Sequence, residues 1–143
     1  MLELAITDAP EPGTREAIAA PLVAFNQAAV GRPSGYRLLV IPIRDLTSGA
    51  VTGGLWGYSI WQWLYVDLLV VPEAMRRSGL GTRLMRLAED EARRRGCIGA
   101  WLTTASFQAR PFYENLGYTV FSTIDDCPPG HSVCYLKKRL AAA

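Results

Sequence analysis

The stretch from Trp63 to Arg95, WLYVDLLVVPEAMRRSGLGTRLMRLAEDEARRR, constrains this chain more than any other. Trp63–Val71 is almost entirely aromatic, β-branched or leucine, with one carboxylate, Asp67, in its middle. Closed by Pro72, such a run reads as a strand covered on both faces. The turn Arg76-Arg77-Ser78-Gly79-Leu80-Gly81 then leads into an amphipathic helix from about Leu80. A helix N-terminus carries unpaired N–H groups and partial positive charge, and glycines allow close approach to the backbone. Strand, glycine turn and helix together predict a phosphate-binding site. The turn has neither the Gly-Lys-Ser/Thr ending of a P-loop nor the third glycine of a dinucleotide fingerprint.

The helix itself is well specified. Leu80, Leu84, Leu87, Ala88 and Ala92 recur at three- and four-residue spacing and predict its buried stripe. On its exposed side Glu89, Asp90 and Glu91 each precede an arginine by four residues, at Arg93, Arg94 and Arg95. Such pairs are worth about 0.2–0.5 kcal/mol each, and arginines suit a helix C-terminus. The charged run is therefore explained by structure alone and is not read as a binding patch.

The 143 residues fit one domain spanning 1–143, with enough apolar sequence for a core of its own. A net charge of +2 is too small to argue for nucleic acid, and the arginines are already paired along a helix, so an RNA-binding reading is disfavoured. The N-terminus MLELAITDAP has no signal-peptide character, and no apolar run reaches the length of a membrane span. Cys97, Cys127 and Cys134 are odd in number and fit no metal-ligand spacing. These features predict reduced thiols, no metal, no membrane association and a cytoplasmic protein.

Along the chain, Leu2–Thr7 alternates weakly and predicts an edge strand. Thr14 is the expected N-cap of a helix running to about Val30, stopped by Gly31 and kinked or split at Pro21. Tyr36–Arg44 and Val51–Tyr58 predict a hairpin across Asp45–Gly49. After the long helix, stopped by Gly96, Ala100–Thr104 predicts a strand parallel to the first by the right-handed crossover rule. A short helix from Pro111 to Leu116 follows, stopped by Gly117, then an antiparallel pair, Thr119–Ser122 and Val133–Leu140.

Two motifs now converge. Arg76-x-x-Gly79-x-Gly81 resembles the Arg/Gln-x-x-Gly-x-Gly/Ala signature of the GNAT superfamily of acyl-CoA-dependent N-acyltransferases. The stretch Ser106-Phe107-Gln108-Ala109-Arg110-Pro111-Phe112-Tyr113-Glu114-Asn115-Leu116-Gly117-Tyr118 resembles the second GNAT signature. The resemblance covers Trp63 to Leu140 well and the first sixty residues only by pattern. It implies an α/β GNAT fold: a mixed, mostly antiparallel sheet with flanking helices and a cofactor cleft between two parallel strands. By the same resemblance the loop amides of Arg76, Arg77, Ser78, Gly79, Leu80, Gly81 and Thr82 hold the coenzyme A pyrophosphate. The backbone of Leu69, Val70 and Val71 meets the thioester and pantetheine, and Ser106, Ala109 and Phe112 lie on the coenzyme side. The family often carries Asn where this chain has Ser106, a departure at the position of that amide's contact. Family habit also implies a homodimer.

Acyl transfer from a thioester to an amine needs a neutral amine, a stabilised oxyanion and a protonated leaving thiolate. Tyr113 matches the GNAT position of the general acid, and the closeness of the FYENLGY match favours that role over an ordinary aromatic at a helix–sheet contact. Asp67 is a base acting through water, an anchor for a cationic amine, or a strand carboxylate bonded to nearby backbone or Arg. Strand alternation places it on the face of Trp63 and Tyr65 unless a bulge intervenes. Trp56, Tyr58, Trp61, Trp63 and Tyr65 crowd one hairpin, mostly as core, with one or two left to favour an aromatic or cationic amine. His131, alone in a Pro/Gly loop, reads as solvated, and Cys134 as packing. With no residue placed to carry an acyl group, the expectation is direct transfer from acetyl-CoA to a small-molecule or peptide primary amine. A non-catalytic acyl-CoA-binding or regulatory module on the same fold is the alternative.

Overall fold

The computed structural model describes residues 1–142. They fall into two compact units, Met1–Ser34 and the chain from Gly35 onward.

In the first unit α1 spans Thr14–Val30 as one helix. Its N-cap is Gly13, in the left-handed region at φ 85°, not the expected Thr14. The Thr14 hydroxyl instead donates backwards to the Glu11 carbonyl at 2.7 Å. Gly31 ends the helix as expected, its N–H donating to the Gln27 carbonyl at 2.8 Å. Pro21 lies inside the helix without splitting it; a single proline removes one intrahelical donor, and the turns on either side remain bonded. Leu2–Thr7 forms no strand, because its backbone groups join no ladder and weak alternation cannot substitute for one.

The second unit holds the sheet. Its strands are β1 (Arg37–Arg44), β2 (Val51–Ile60), β3 (Trp63–Val70), β4 (Gly99–Ala105), β5 (Thr119–Asp125) and β6 (Ser132–Arg139). Among the described residues these six lie in the order β1-β2-β3-β4-β6-β5. All neighbours are antiparallel except β3 and β4. Helix α2 (Leu80–Arg94) forms the crossover between β3 and β4, and α3 (Arg110–Asn115) follows β4. The fold is thus the mixed, mostly antiparallel sheet with flanking helices that the motifs imply.

Strand alternation sorts the sheet into two faces. Leu64, Val66, Ala100, Leu102 and Leu136 are buried on one, packed with Met85, Ala88 and Ala92 of α2 and with Tyr113 and Tyr118. The buried stripe of α2 is Leu84, Met85, Ala88, Glu89 and Ala92. Leu87, expected in that stripe, is 46% exposed, and Glu89, expected on the outer face, is 3% exposed. The helix is rotated toward β6 because Glu89 has a partner there: Lys138 Nζ donates to both its carboxylate oxygens, at 2.9 and 2.8 Å. Of the expected four-residue pairs only Glu91–Arg95 forms among the described residues; Arg93 consequently pairs with Asp90, and Arg94 joins Arg95 on Glu91.

Two local features shape the region around β3. The register passes from Gly57↔Val66 to Trp56↔Leu68, so Asp67 has no partner on β2 and forms a bulge. Gly57 is required opposite it: a Cβ there would stand 2.4 Å from the Tyr65 carbonyl oxygen. Against β4, pairing runs only from Trp63↔Gly99 to Val66↔Leu102. Beyond that point the two strands part, and β3 is not covered on both faces as the sequence predicts: Asp67, Leu68 and Val70 are exposed.

Candidate functional site

The parting of β3 and β4 opens a cavity of about 780 Å³. One wall is the edge of β3 left without a β4 partner, at Leu69–Val71, where Leu69 and Val70 stay paired with β2 on the other side; the floor is the turn Met75–Gly79 with the first residues of α2; the other wall is Phe107–Ala109, Phe112 and Tyr113. Strand groups freed from a ladder keep their donors and acceptors, and a cleft is where those groups can serve a ligand.

The floor is built to attract an anion. A short 3-10 turn, Glu73–Met75, delivers the chain to Arg76 and to Arg77, a non-glycine residue at φ 63°. The Ser78 hydroxyl donates to the Met75 carbonyl and Arg76 Nε to the Val71 carbonyl at 3.2 Å, which pins both ends of the turn. Gly79 caps α2 at φ 80°, with no side-chain cap and no acidic residue in the first turn. The N–H groups of Leu80, Gly81 and Thr82 therefore lack intrahelical partners, and the positive end of the dipole is not neutralised.

Gly81 also has a packing role, beside the expected phosphate approach. A Cβ there would meet the Phe112 ring at 3.2 Å and Val71 Cγ2 at 3.6 Å. The missing side chain is what lets α2 and α3 close on one another behind the cleft.

On the opposite wall Tyr113 is 9% exposed. Its ring packs edge-on against Phe112 at 5.1 Å and Tyr118 at 6.2 Å. Burial pushes its phenol above the ordinary tyrosine value, so it is fully protonated at neutral pH. Behind it, burial first and then the Glu89 charge push the Tyr118 phenol up further. Proline and glycine positions predict this helix well: it runs Arg110–Asn115 with Pro111 in its first turn.

Of the residues singled out from sequence, Leu69, Val70, Val71, Arg76, Arg77, Gly79, Leu80, Gly81, Thr82, Ala109, Phe112 and Tyr113 line this cavity. Ser78 lines an adjoining hollow with Ala74 and Arg83. Ser106 lines neither; its hydroxyl accepts from Ser132 N–H at 3.1 Å and joins β4 to β6. Asp67 also lies outside the cavity lining, in the bulge just before Leu69, close enough to raise the Tyr65 pKa as the second cause after burial. Met75, Phe107 and Gln108 line the cavity and were not foreseen; Phe107 and Gln108 sit inside the second motif, the signal that would have marked them.

The sheet face away from α2 carries an aromatic row. Ring centroids run Tyr36–Tyr58 at 5.2 Å, Tyr58–Tyr65 at 5.3 Å, Tyr65–Trp101 at 4.3 Å, Trp101–Tyr135 at 6.5 Å and Tyr135–Phe121 at 6.2 Å. Of the crowded hairpin aromatics, Tyr58 and Tyr65 join this row. Trp101 and Tyr135 enter it through strand register, which the sequence does not display.

Comparison with known proteins agrees with this geometry. The sequence pattern of the Acetyltransferase (GNAT) family matches residues 1–118. Acetyltransferase Atu2258 of Agrobacterium fabrum is 41% identical over 138 residues, covering 96% of this chain and 99% of that protein. Blasticidin-S acetyltransferase of Streptomyces morookaense is 47% identical over 93 residues, 64% of this chain and 68% of that one. A crystal structure from Agrobacterium tumefaciens, 41% identical, superposes with a TM-score of 0.88 over 96% of this chain and 99% of the other. At the level of fold alone, an aminoglycoside 6'-N-acetyltransferase complexed with coenzyme A is 16% identical with a TM-score of 0.61, covering 97% of each chain.

Proposed function

The chain belongs to the GNAT acetyltransferase family, and from that premise we propose that it transfers an acetyl group from acetyl-CoA directly to a primary amine of a small molecule. The observation that carries this reading is the cavity itself. It joins, in one wall-to-wall space, an anion-attracting helix start, an unpaired strand edge and a buried neutral phenol.

Each part answers one demand of the reaction. The turn Arg76–Thr82 holds the pyrophosphate through backbone N–H groups and local positive charge. The free edge at Leu69–Val71 supplies backbone donors for the pantetheine arm and the thioester oxygen. As the amine nitrogen bonds to the acetyl carbon and the carbon–sulfur bond breaks, the Tyr113 phenol donates its hydrogen to the charge developing on the departing sulfur, and any proton it gives up is replaced from solvent. The proton lost by the amine goes to solvent, with Asp67 either relaying it through water or holding a cationic acceptor. Direct transfer is supported by the cysteines: none of the three lines the cavity, and Cys97 and Cys134 are buried.

The aromatic row and the neighbouring Asp67 support an acceptor that is planar or cationic, since aromatic faces attract cations and stack on flat groups. The relative that acetylates blasticidin S is in keeping with a small-molecule acceptor. The test is amine-dependent release of free thiol from acetyl-CoA across a panel of aromatic, cationic and peptide amines. Turnover on at least one planar or cationic small molecule is expected. Coenzyme A binding with no turnover on any amine would favour the non-catalytic module instead.

A further inference from the structure

We propose that Gln108 is a ligand-holding residue of the cleft, donating from its side-chain amide to an amide carbonyl in the pantetheine arm of coenzyme A. The inference rests on the reading that the cavity takes acyl-CoA, and it adds a residue for which the family motif gives no role.

The argument begins with a strand group left behind by the splay. Ser106 N–H donates across to Ser132 on β6 at 2.8 Å. Backbone N–H groups alternate in direction along a strand, so Ala105 N–H points the other way, toward β3. The β3 ladder ended at Leu102, and no strand carbonyl is there to receive it. Gln108 Oε1 takes its place, accepting from Ala105 N–H at 2.7 Å and from the Thr104 hydroxyl at 3.4 Å. The Gln108 backbone N–H donates in turn to the Ala105 carbonyl at 2.9 Å, so both ends of the residue are fixed.

That bonding also orients the side chain. A backbone N–H can be received by the amide oxygen and not by its nitrogen, so Nε2 must be the outer atom. Among the described residues Nε2 meets no acceptor, and Gln108 lines the cavity. A pre-positioned pair of N–H donors on the β4 wall thus faces the space that the arm crosses, opposite the free edge of β3. Ser106, at the motif position where the family often has an amide, has its hydroxyl engaged by Ser132; Gln108 presents an amide two residues on.

The experiment is calorimetric titration of two ligands, coenzyme A and adenosine 3′,5′-bisphosphate, which keeps the phosphates and lacks the arm. Gln108→Met preserves length and removes the donors. It is expected to weaken coenzyme A by about 3- to 10-fold, the worth of a neutral hydrogen bond, and to leave the bisphosphate unchanged. If the loop does not tolerate methionine, Gln108→Glu keeps an oxygen for Ala105 N–H while losing the donors. Its added charge acts on both ligands, so the ratio of the two affinities is the readout. An unchanged ratio in the folded variants, whether both ligands weaken or neither does, overturns the role of Gln108. Wild-type protein that binds neither ligand overturns the acyl-CoA reading itself.

Discussion

Replacing Tyr113 by Phe removes one oxygen from the wall of the cleft and little else. The ring keeps its contacts with Phe112 and Tyr118, and no protein group loses a hydrogen bond, since none among the described residues is made to that hydroxyl. Stability and coenzyme A affinity should therefore be unchanged. The rate should not be. General acid catalysis contributes about 10²–10⁴-fold, and the structure argues for less than the full range. Burial raises the phenol above its ordinary value, whereas a thiol titrates near 8.5, so full proton transfer to the leaving sulfur runs uphill. The phenol then acts largely as a hydrogen-bond donor to developing charge, and the expected loss in kcat is about 10- to 100-fold, or roughly 1.4–2.7 kcal/mol of barrier. The assay is thiol release at saturating acetyl-CoA and amine, with solvent-viscosity controls to establish that chemistry limits the rate. A kcat within about twofold of wild type under those conditions would refute the assignment and leave Tyr113 as a packing residue.

Gly81→Val should push Phe112 and Val71 apart or into the cleft, weakening coenzyme A by about 5- to 150-fold, the equivalent of an overpacking cost of about 1–3 kcal/mol, with the circular dichroism spectrum unchanged. Asp67→Asn separates its two roles: loss of an exposed anchoring pair lowers kcat/KM for a cationic amine by about fivefold, whereas loss of a base lowers kcat by about 10²-fold or more; unaltered kinetics across pH would remove Asp67 from the reaction. Lys138→Met leaves the Glu89 carboxylate, its side chain only 4% exposed, without a partner. It should destabilise by about 3–5 kcal/mol in urea unfolding, and Glu89→Gln in the same chain should recover most of that. Stability should also fall as pH rises through and above about 10. The folded-state pKa values of Tyr113 and Tyr118 are both raised, so the unfolded chain sheds protons that the folded chain retains, and the contribution present below the unfolded pKa is lost above it. A urea midpoint that rises over that window would contradict the burial of the two phenols.

The elements legible in the sequence were those whose causes are local. The strand Trp63–Val70, the glycine-capped helix from Leu80 and the helix around Pro111 follow from composition, caps and spacing within a few residues. The turn before Leu80 was legible as an anion site for the same reason, and its assignment to coenzyme A came from the family resemblance. What escaped depends on partners distant in the chain. Glu89 reads as one more surface acid until β6 brings Lys138 beside it. Asp67 reads as a regular strand residue until pairing with β2 skips it, and Trp101 and Tyr135 join Tyr65 only through register. Gln108 is hidden in another way: its role in capping Ala105 exists because β3 and β4 part, and no local pattern announces a splay. Leu2–Thr7 shows the converse, alternation with no ladder to join.

The most direct test of the account follows the acetyl group itself. Protein, acetyl-CoA carrying a labelled acetyl group and the best amine of the panel are mixed, and mass spectrometry reads the label on amine and on protein while free thiol is counted. The account predicts one labelled amide formed for each thiol released, no label on the protein, and no thiol release when the amine is left out. Label retained on the protein at a rate competent for turnover would contradict direct transfer, and thiol release indifferent to every amine would contradict the proposed activity.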